Sequence, residues 1–199
     1  FQRILVDNKQ INDAVLYLQK FGVGTVLAKK IYGRYGENLY KVIEKNPYIL
    51  AEEVKNVGFK TADDIARRMG TKLDSEFRIR AALIYTLEKA SEEGHTYLPS
   101  KELKEKTESL LDANIPNFDV ILADLTVEEK VLSKIQLDGD VFVYLPYLYN
   151  LEERLAYMLA DLEKCKYRLN TEKIDEEINS AHLKNGIELD VDQIEAVKK

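Results

Sequence analysis

The stretch G-V-G-T-V-L-A-K-K-I, from Gly22 to Ile31, recurs 34 residues later as N-V-G-F-K-T-A-D-D-I, from Asn56 to Ile65. Valine, glycine, alanine and isoleucine hold equivalent places, and Gly36 and Gly70 close the two segments in register. In each copy a tight turn opens directly onto a helix. Gly22 and Asn56 suit a turn position of positive φ, which glycine adopts freely and asparagine tolerates. Gly24 and Gly58 remove the side chain where an anion would approach. The helix after each turn offers unpaired N–H groups and the positive end of its dipole. Ala28 and Ala62 are small enough to let the new helix lie close against its predecessor. The same residues also allow a plainer reading, an ordinary pair of helical corners packing a small bundle.

With two matched copies, the arrangement resembles the helix-hairpin-helix, a module that grips the DNA backbone without reading bases. The resemblance implies that Val23, Gly24 and Thr25 in the first turn meet phosphates, as do Val57, Gly58, Phe59, Lys60 and Thr61 in the second. Lys29, Lys30, Arg67 and Arg68 would add electrostatic attraction. The charge distribution agrees with that placement. The chain carries −6 overall, yet residues 1–70 hold 12 Lys/Arg against 8 Asp/Glu, whereas residues 71–199 hold 17 against 27. Contact with DNA is therefore expected in the first third.

A chain of 199 residues has room for one large domain or two small ones, and 45% hydrophobic with 32% charged residues describes a globular core with a solvated surface. No run of 18 apolar residues exists, so no membrane span is expected. Cys165 is the single cysteine, which cannot form an internal disulfide and fits a reducing, cytoplasmic setting. His95 has no Cys, His or acid at metal-ligand spacing, so no metal site is expected. The chain starts at Phe1 without a signal peptide and stops at Lys198-Lys199 inside a helical pattern, which reads as a piece of something longer.

The fold expected is mainly α: a tandem helix-hairpin-helix unit over 1–72, a winged-helix-like α+β domain over 73–149, and helices over 150–199. Asp7-Asn8 suit the cap of a first helix running to Lys20, and Asn46-Pro47 ends a third. From Asp74 a long helix runs to Gly94, His95–Leu98 is extended, and further helices start at Ser100 and Asn117. Lys130–Gln136 alternates as a strand, Asp138-Gly139 supplies a hairpin turn, and Val141–Leu145 returns. This is the order of a winged helix, but Asn117–Leu125 carries two acids and no base, and the wing tip Asp138-Gly139-Asp140 is acidic too. Both repel phosphate, so the domain reads as a scaffold or docking element. Tyr144, Tyr147 and Tyr149 around Pro146 form either a stacking platform for bases or a packed hinge, the hinge being favoured. Helices are expected from Leu151 to Tyr167 and over Glu172–Lys184.

Several short motifs occur in a fixed order: N-P-Y-x-L (Asn46–Leu50), V-G-F-K-T-A-D (Val57–Asp63), G-H-T-Y-L-P (Gly94–Pro99), V-Y-L-P (Val143–Pro146) and a D-Q-I-E-A-V tail from Asp192. That series resembles the RecD-like family of DNA helicases, the branch called exonuclease V alpha chains. The resemblance implies a bacterial enzyme that uses ATP and Mg²⁺ to move 5′→3′ along single-stranded DNA and separate duplex, with roles in repair and recombination. Gln193 falls where such helicases recognise adenine through an amide that both donates and accepts. The chain departs from the family in having no G-x-x-x-x-G-K-[ST] loop, so ATP hydrolysis is not expected of these residues themselves. Partners implied are sequence-independent DNA backbone and the remainder of the motor in the same chain. Two further readings stay open: a protein-docking scaffold, and a hairpin-bearing glycosylase or lyase using Lys60 or the Asp63-Asp64 pair.

Overall fold

The computed structural model describes residues 2–164, 173–174, 176–178, 180, 184, 186 and 189–198. Two units divide the chain, Phe1–Glu152 and Glu153–Lys199. The first opens with α1 (Gln2–Gln19), α2 (Thr25–Tyr35), a 3-10 turn (Gly36–Asn38), α3 (Leu39–Lys45), α4 (Ile49–Glu53) and α5 (Phe59–Arg68). It continues with α6 (Glu76–Glu92), β1 (Tyr97–Pro99), α7 (Ser100–Leu111), α8 (Phe118–Val127), β2 (Leu132–Ile135) and β3 (Val141–Tyr144). α9 (Pro146–Lys164) comes next, and the second unit also contains α10 (Val191–Lys198).

The first five helices bury one stripe each. Ala14 and Leu18 of α1, Ala28 and Ile31 of α2, Leu39 and Ile43 of α3, Leu50 of α4, and Ala62 and Ile65 of α5 enter a common core. The alanines fall where each hairpin's second helix passes its neighbour, as their size requires. Asp7 and Asn8 do not cap α1, which starts five residues earlier. Continuing a helix fixes one more residue per hydrogen bond, whereas restarting one repeats the unfavourable nucleation step, so a local cap preference yields.

α6 buries Ile79, Ala82, Leu83, Leu87 and Ala90 and joins the hairpin helices to α7 and the sheet. The strands form one antiparallel sheet in the order β1-β3-β2, with Leu98 opposite Val143 and Ser133 opposite the same valine. Leu98 and Val143 are buried while Tyr97, stacked on Phe142 at 4.4 Å, covers the other face. The fold is thus mainly helical with one small sheet.

One expectation near the sheet changes. α9 begins at Pro146 rather than Leu151, since proline without an N–H suits the first turn of a helix. Tyr147 and Tyr149 therefore lie on a helix, Tyr144 is buried, and Tyr149 meets it edge-on at 5.3 Å. Only Tyr147 of the three is exposed, so they form a packed hinge and not a stacking platform. The continuation to Tyr167 and residues 172, 175, 179 and 181–183 of the expected Glu172–Lys184 helix lie outside the described residues, and those described in that span are helical.

Candidate nucleic-acid interface

α1 ends in a tight reversal. Gly22 N–H donates to Gln19 O at 2.9 Å and Val23 N–H to Leu18 O at 3.2 Å, and Gly22 takes φ 82°. The chain then extends through Gly24 (φ −66°, ψ 153°) and enters α2, where Ala28 N–H returns to Gly24 O at 2.9 Å. The second copy repeats this plan. Asn56 takes φ 73°, Val57 N–H donates to Val54 O at 3.0 Å, Gly58 is extended, and Ala62 N–H returns to Gly58 O at 3.1 Å.

What these bonds leave over defines the site. The N–H groups of Gly24, Thr25, Val26 and Leu27 meet no acceptor among the described residues, and neither do those of Gly58, Phe59, Lys60 and Thr61. No side chain caps either helix. Each turn so presents several donors at the positive end of a helix. The two turns are neighbours: Gly24–Leu27 and Lys30 line a shallow pocket of about 380 Å³ together with Lys55 and Asn56 of the other hairpin.

Gly24 and Gly58 are informative because the fold does not need them. Both have ordinary negative φ, and a Cβ at either would meet nothing within 4 Å. The empty space above each glycine lies beside the free amides. Gly22 differs: its positive φ favours glycine, and a methyl there would lie 2.1 Å from Nη1 of Arg68, the movable end of an exposed side chain.

The expected contact residues divide into groups. Val23 and Val57 are 4% and 5% exposed with their amides already donated, so they shape the turns and do not face solvent. Phe59 packs in the core against Tyr48, leaving only its amide for the site. Thr25 Oγ1 accepts from Gln19 Nε2 at 3.2 Å. Lys29, Lys30, Lys60, Thr61 and Arg68 are exposed. Arg67 is also exposed, but its Nε lies 2.9 Å from Asp63 Oδ2, which compensates its charge. Lys55 joins the site unforeseen; the first copy has Phe21 there, so the repeat held no matching cation to draw attention to it.

Asp63 is buried beneath the second turn. It accepts from Tyr48 Oη at 2.8 Å and from Arg78 Nε at 2.8 Å and Nη2 at 3.2 Å. Burial alone would raise its pKa, but the hydrogen bonds and charges of Arg78, Tyr48 and Arg67 outweigh that and hold it below the usual aspartate range. The same burial and bond to Asp63 push the Tyr48 phenol well up. A carboxylate so enclosed is a poor proton acceptor, which removes Asp63 as the base of a glycosylase.

Elsewhere the surface turns acidic. The outward side of α8 carries Asp119 and Asp124 with exposed Val120 and Val127, and the β2–β3 connection carries Asp138 and Asp140 after a fully exposed Leu137. Gln193, in α10, uses Oε1 to accept the Asp190 N–H at 3.1 Å, the reciprocal half of a helix cap. That contact accounts for Gln193 structurally. The chain contains no G-x-x-x-x-G-K-[ST] loop, so these residues do not by themselves fit ATP. No group of three or more potential metal ligands occurs among the described residues, and no helix among them is long and apolar enough to cross a membrane.

A repeated helix–turn–helix whose turns both leave their amides free is a helix-hairpin-helix region, and this is the class the geometry defines. Residues 7–97 match the family model described as the ATP-dependent RecD2 DNA helicase HHH domain. The chain is also 28% identical over 155 residues to the ATP-dependent RecD2 DNA helicase of Deinococcus radiodurans, a match covering 73% of this chain and 21% of that protein. On these two findings residues 7–97 are similar to the helix-hairpin-helix domain of RecD2 helicases, and the chain, similar to that relative over about a fifth of the relative's length, resembles the RecD-like DNA helicases.

Proposed function

We propose that this chain is the accessory DNA-binding region of a RecD-like helicase and holds the DNA backbone, without sequence preference, at its two hairpin turns. The observation that carries this reading is the pairing of free amides with open glycines at both turns. Nothing in the backbone or packing demands glycine at 24 or 58, and both copies have it. The ligands are the main-chain N–H groups of Gly24–Leu27 and Gly58–Thr61, with Lys29, Lys30, Lys55, Lys60 and Arg68 supplying charge. Amides and lysines address phosphate oxygens, which every sequence presents alike. The test is fluorescence anisotropy of this chain on duplexes of unrelated sequence: similar affinities that fall together in Gly24→Val and Gly58→Val support it, and sequence-selective binding opposes it.

Within that reading, residues 1–72 form the hairpin domain, 73–149 a winged helix, and 150–199 the approach to a motor elsewhere in the parent protein. The element order from α6 to β3, with the β1-β3-β2 sheet, supports the winged-helix reading. The parent would use ATP and Mg²⁺ to move 5′→3′ along single-stranded DNA in the cytoplasm, and Gln193 would contact adenine only once the rest of a pocket is present. A second role favoured by the acidic, partly apolar outer side of α8 is docking of protein; it coexists with the first, because the two surfaces are chemically opposite.

A further inference from the structure

We propose that Arg68, borne by the second hairpin, is a phosphate ligand of the first. The proposal rests on reading both turns as backbone-phosphate sites and assigns one cation across the repeat. Arg34 and Arg68 occupy equivalent positions in the two copies, and each reaches toward the opposite hairpin. Arg34 Nε lies 3.2 Å from Oε2 of Glu53, the last residue of α4 before the second turn. Arg68 lays its guanidinium against Gly22 in the first turn, where an added methyl would meet Nη1 at 2.1 Å.

The symmetry then breaks in a useful way. The position equivalent to Glu53 is Gln19, which is neutral and donates to Thr25. Arg34 therefore has its charge answered by a carboxylate, whereas Arg68 forms no ion pair with any described residue. A guanidinium stays charged at every working pH, so its charge remains available to an incoming anion. The first turn has no charge of its own: Gly22 to Leu27 contain no charged residue, while the equivalent Asn56 to Thr61 contain Lys60, and Lys30 and Lys55 stand at the edge of the first turn's pocket. The absent side chain at Gly22 leaves room for the arginine beside the turn that leads into α2. Arg68 so completes a site whose amides come from the other copy.

A double-mutant cycle on a 20-base-pair duplex tests this with the full chain, reading affinity and its salt dependence. Arg68→Ala should weaken binding about tenfold, the loss of one charged hydrogen bond, and lower the log–log salt slope by about one. Combined with Gly24→Val, it should add less than about twofold; combined with Gly58→Val, it should still cost about tenfold. Arg34→Ala should stay within about twofold of the unmodified chain, because its charge is already paired. Arg68→Gln serves if the alanine variant unfolds on heating earlier than its parent. Equal costs in both glycine backgrounds would overturn the proposal while leaving the hairpin reading intact. So would an unaffected Arg68→Ala variant beside weakened glycine variants. No DNA binding by the unmodified chain would remove both.

Discussion

Arg78 and Asp63 form a two-pronged buried pair, Nε to Oδ1 at 2.8 Å and Nη2 to Oδ2 at 3.2 Å, joining α6 to the helix that carries the second turn. Arg78 is 2% exposed, and its Nη1 also donates to Leu73 O at 3.1 Å. The second hairpin is thereby fixed to the body of the protein from below, while its amides face outward. Removing one partner strands the other in the core. Asp63→Ala and Arg78→Ala should each cost about 3–5 kcal/mol, measured by urea unfolding, and the double substitution Asp63→Leu with Arg78→Met should recover part of that loss.

Acid should dissolve this pair. Asp63 is held below its unfolded pKa, so its contribution is complete above roughly pH 4 and disappears as pH falls through the lower folded value. The stability gap between the unmodified chain and Asp63→Asn should therefore be widest at neutral pH and shrink in acid. Denaturant midpoints across pH 2–7 measure it. A gap independent of pH would mean that the carboxylate is not the partner.

Tyr48→Phe keeps the ring that packs on Phe59 and deletes only the hydroxyl donating to Asp63. A cost of about 1 kcal/mol is expected, smaller than either charge deletion, because two arginines still satisfy the carboxylate.

The turn glycines should separate into two kinds. Gly24→Val and Gly58→Val should leave stability within about 0.5 kcal/mol, since a side chain at either enters open space, yet weaken DNA binding. Gly22→Ala should destabilise by about 1–2 kcal/mol, from its positive φ. Thermal unfolding beside anisotropy distinguishes the two.

Binding should also be weak and salt-sensitive. Two phosphates neutralised at each hairpin give a log–log salt slope of about −4 on duplex. A slope near zero would exclude a backbone grip.

How much of this the sequence discloses depends on range. The turns were legible because their requirements are local and written twice: positive φ at Gly22 and Asn56, a bare N-terminus at Gly24 and Gly58, a small residue at Ala28 and Ala62. The Asp63–Arg78 pair was not, since the partners lie fifteen residues apart on different helices with no periodicity linking them. Read locally, Asp63 looked like a candidate base and Arg67 like a free cation, and packing changed both. The short family motifs also turn out to serve the fold. Asn46 Oδ1 accepts the Tyr48 N–H at 3.0 Å, Tyr48 and Phe59 pack together, and Leu98 and Val143 meet at the centre of the sheet. Such motifs identify relatives reliably because they build the scaffold. In the proposed reading the contacts to DNA come from main-chain atoms, which a sequence reveals only through the glycines left bare beside them.

Backbone amide shifts, recorded by two-dimensional NMR while a short duplex is titrated into the chain, test the central claim most directly. The account predicts that the largest changes fall on Gly24–Leu27 and Gly58–Thr61, with α8 and the wing unmoved. Changes concentrated on α8 or the wing, with both turns silent, would contradict it.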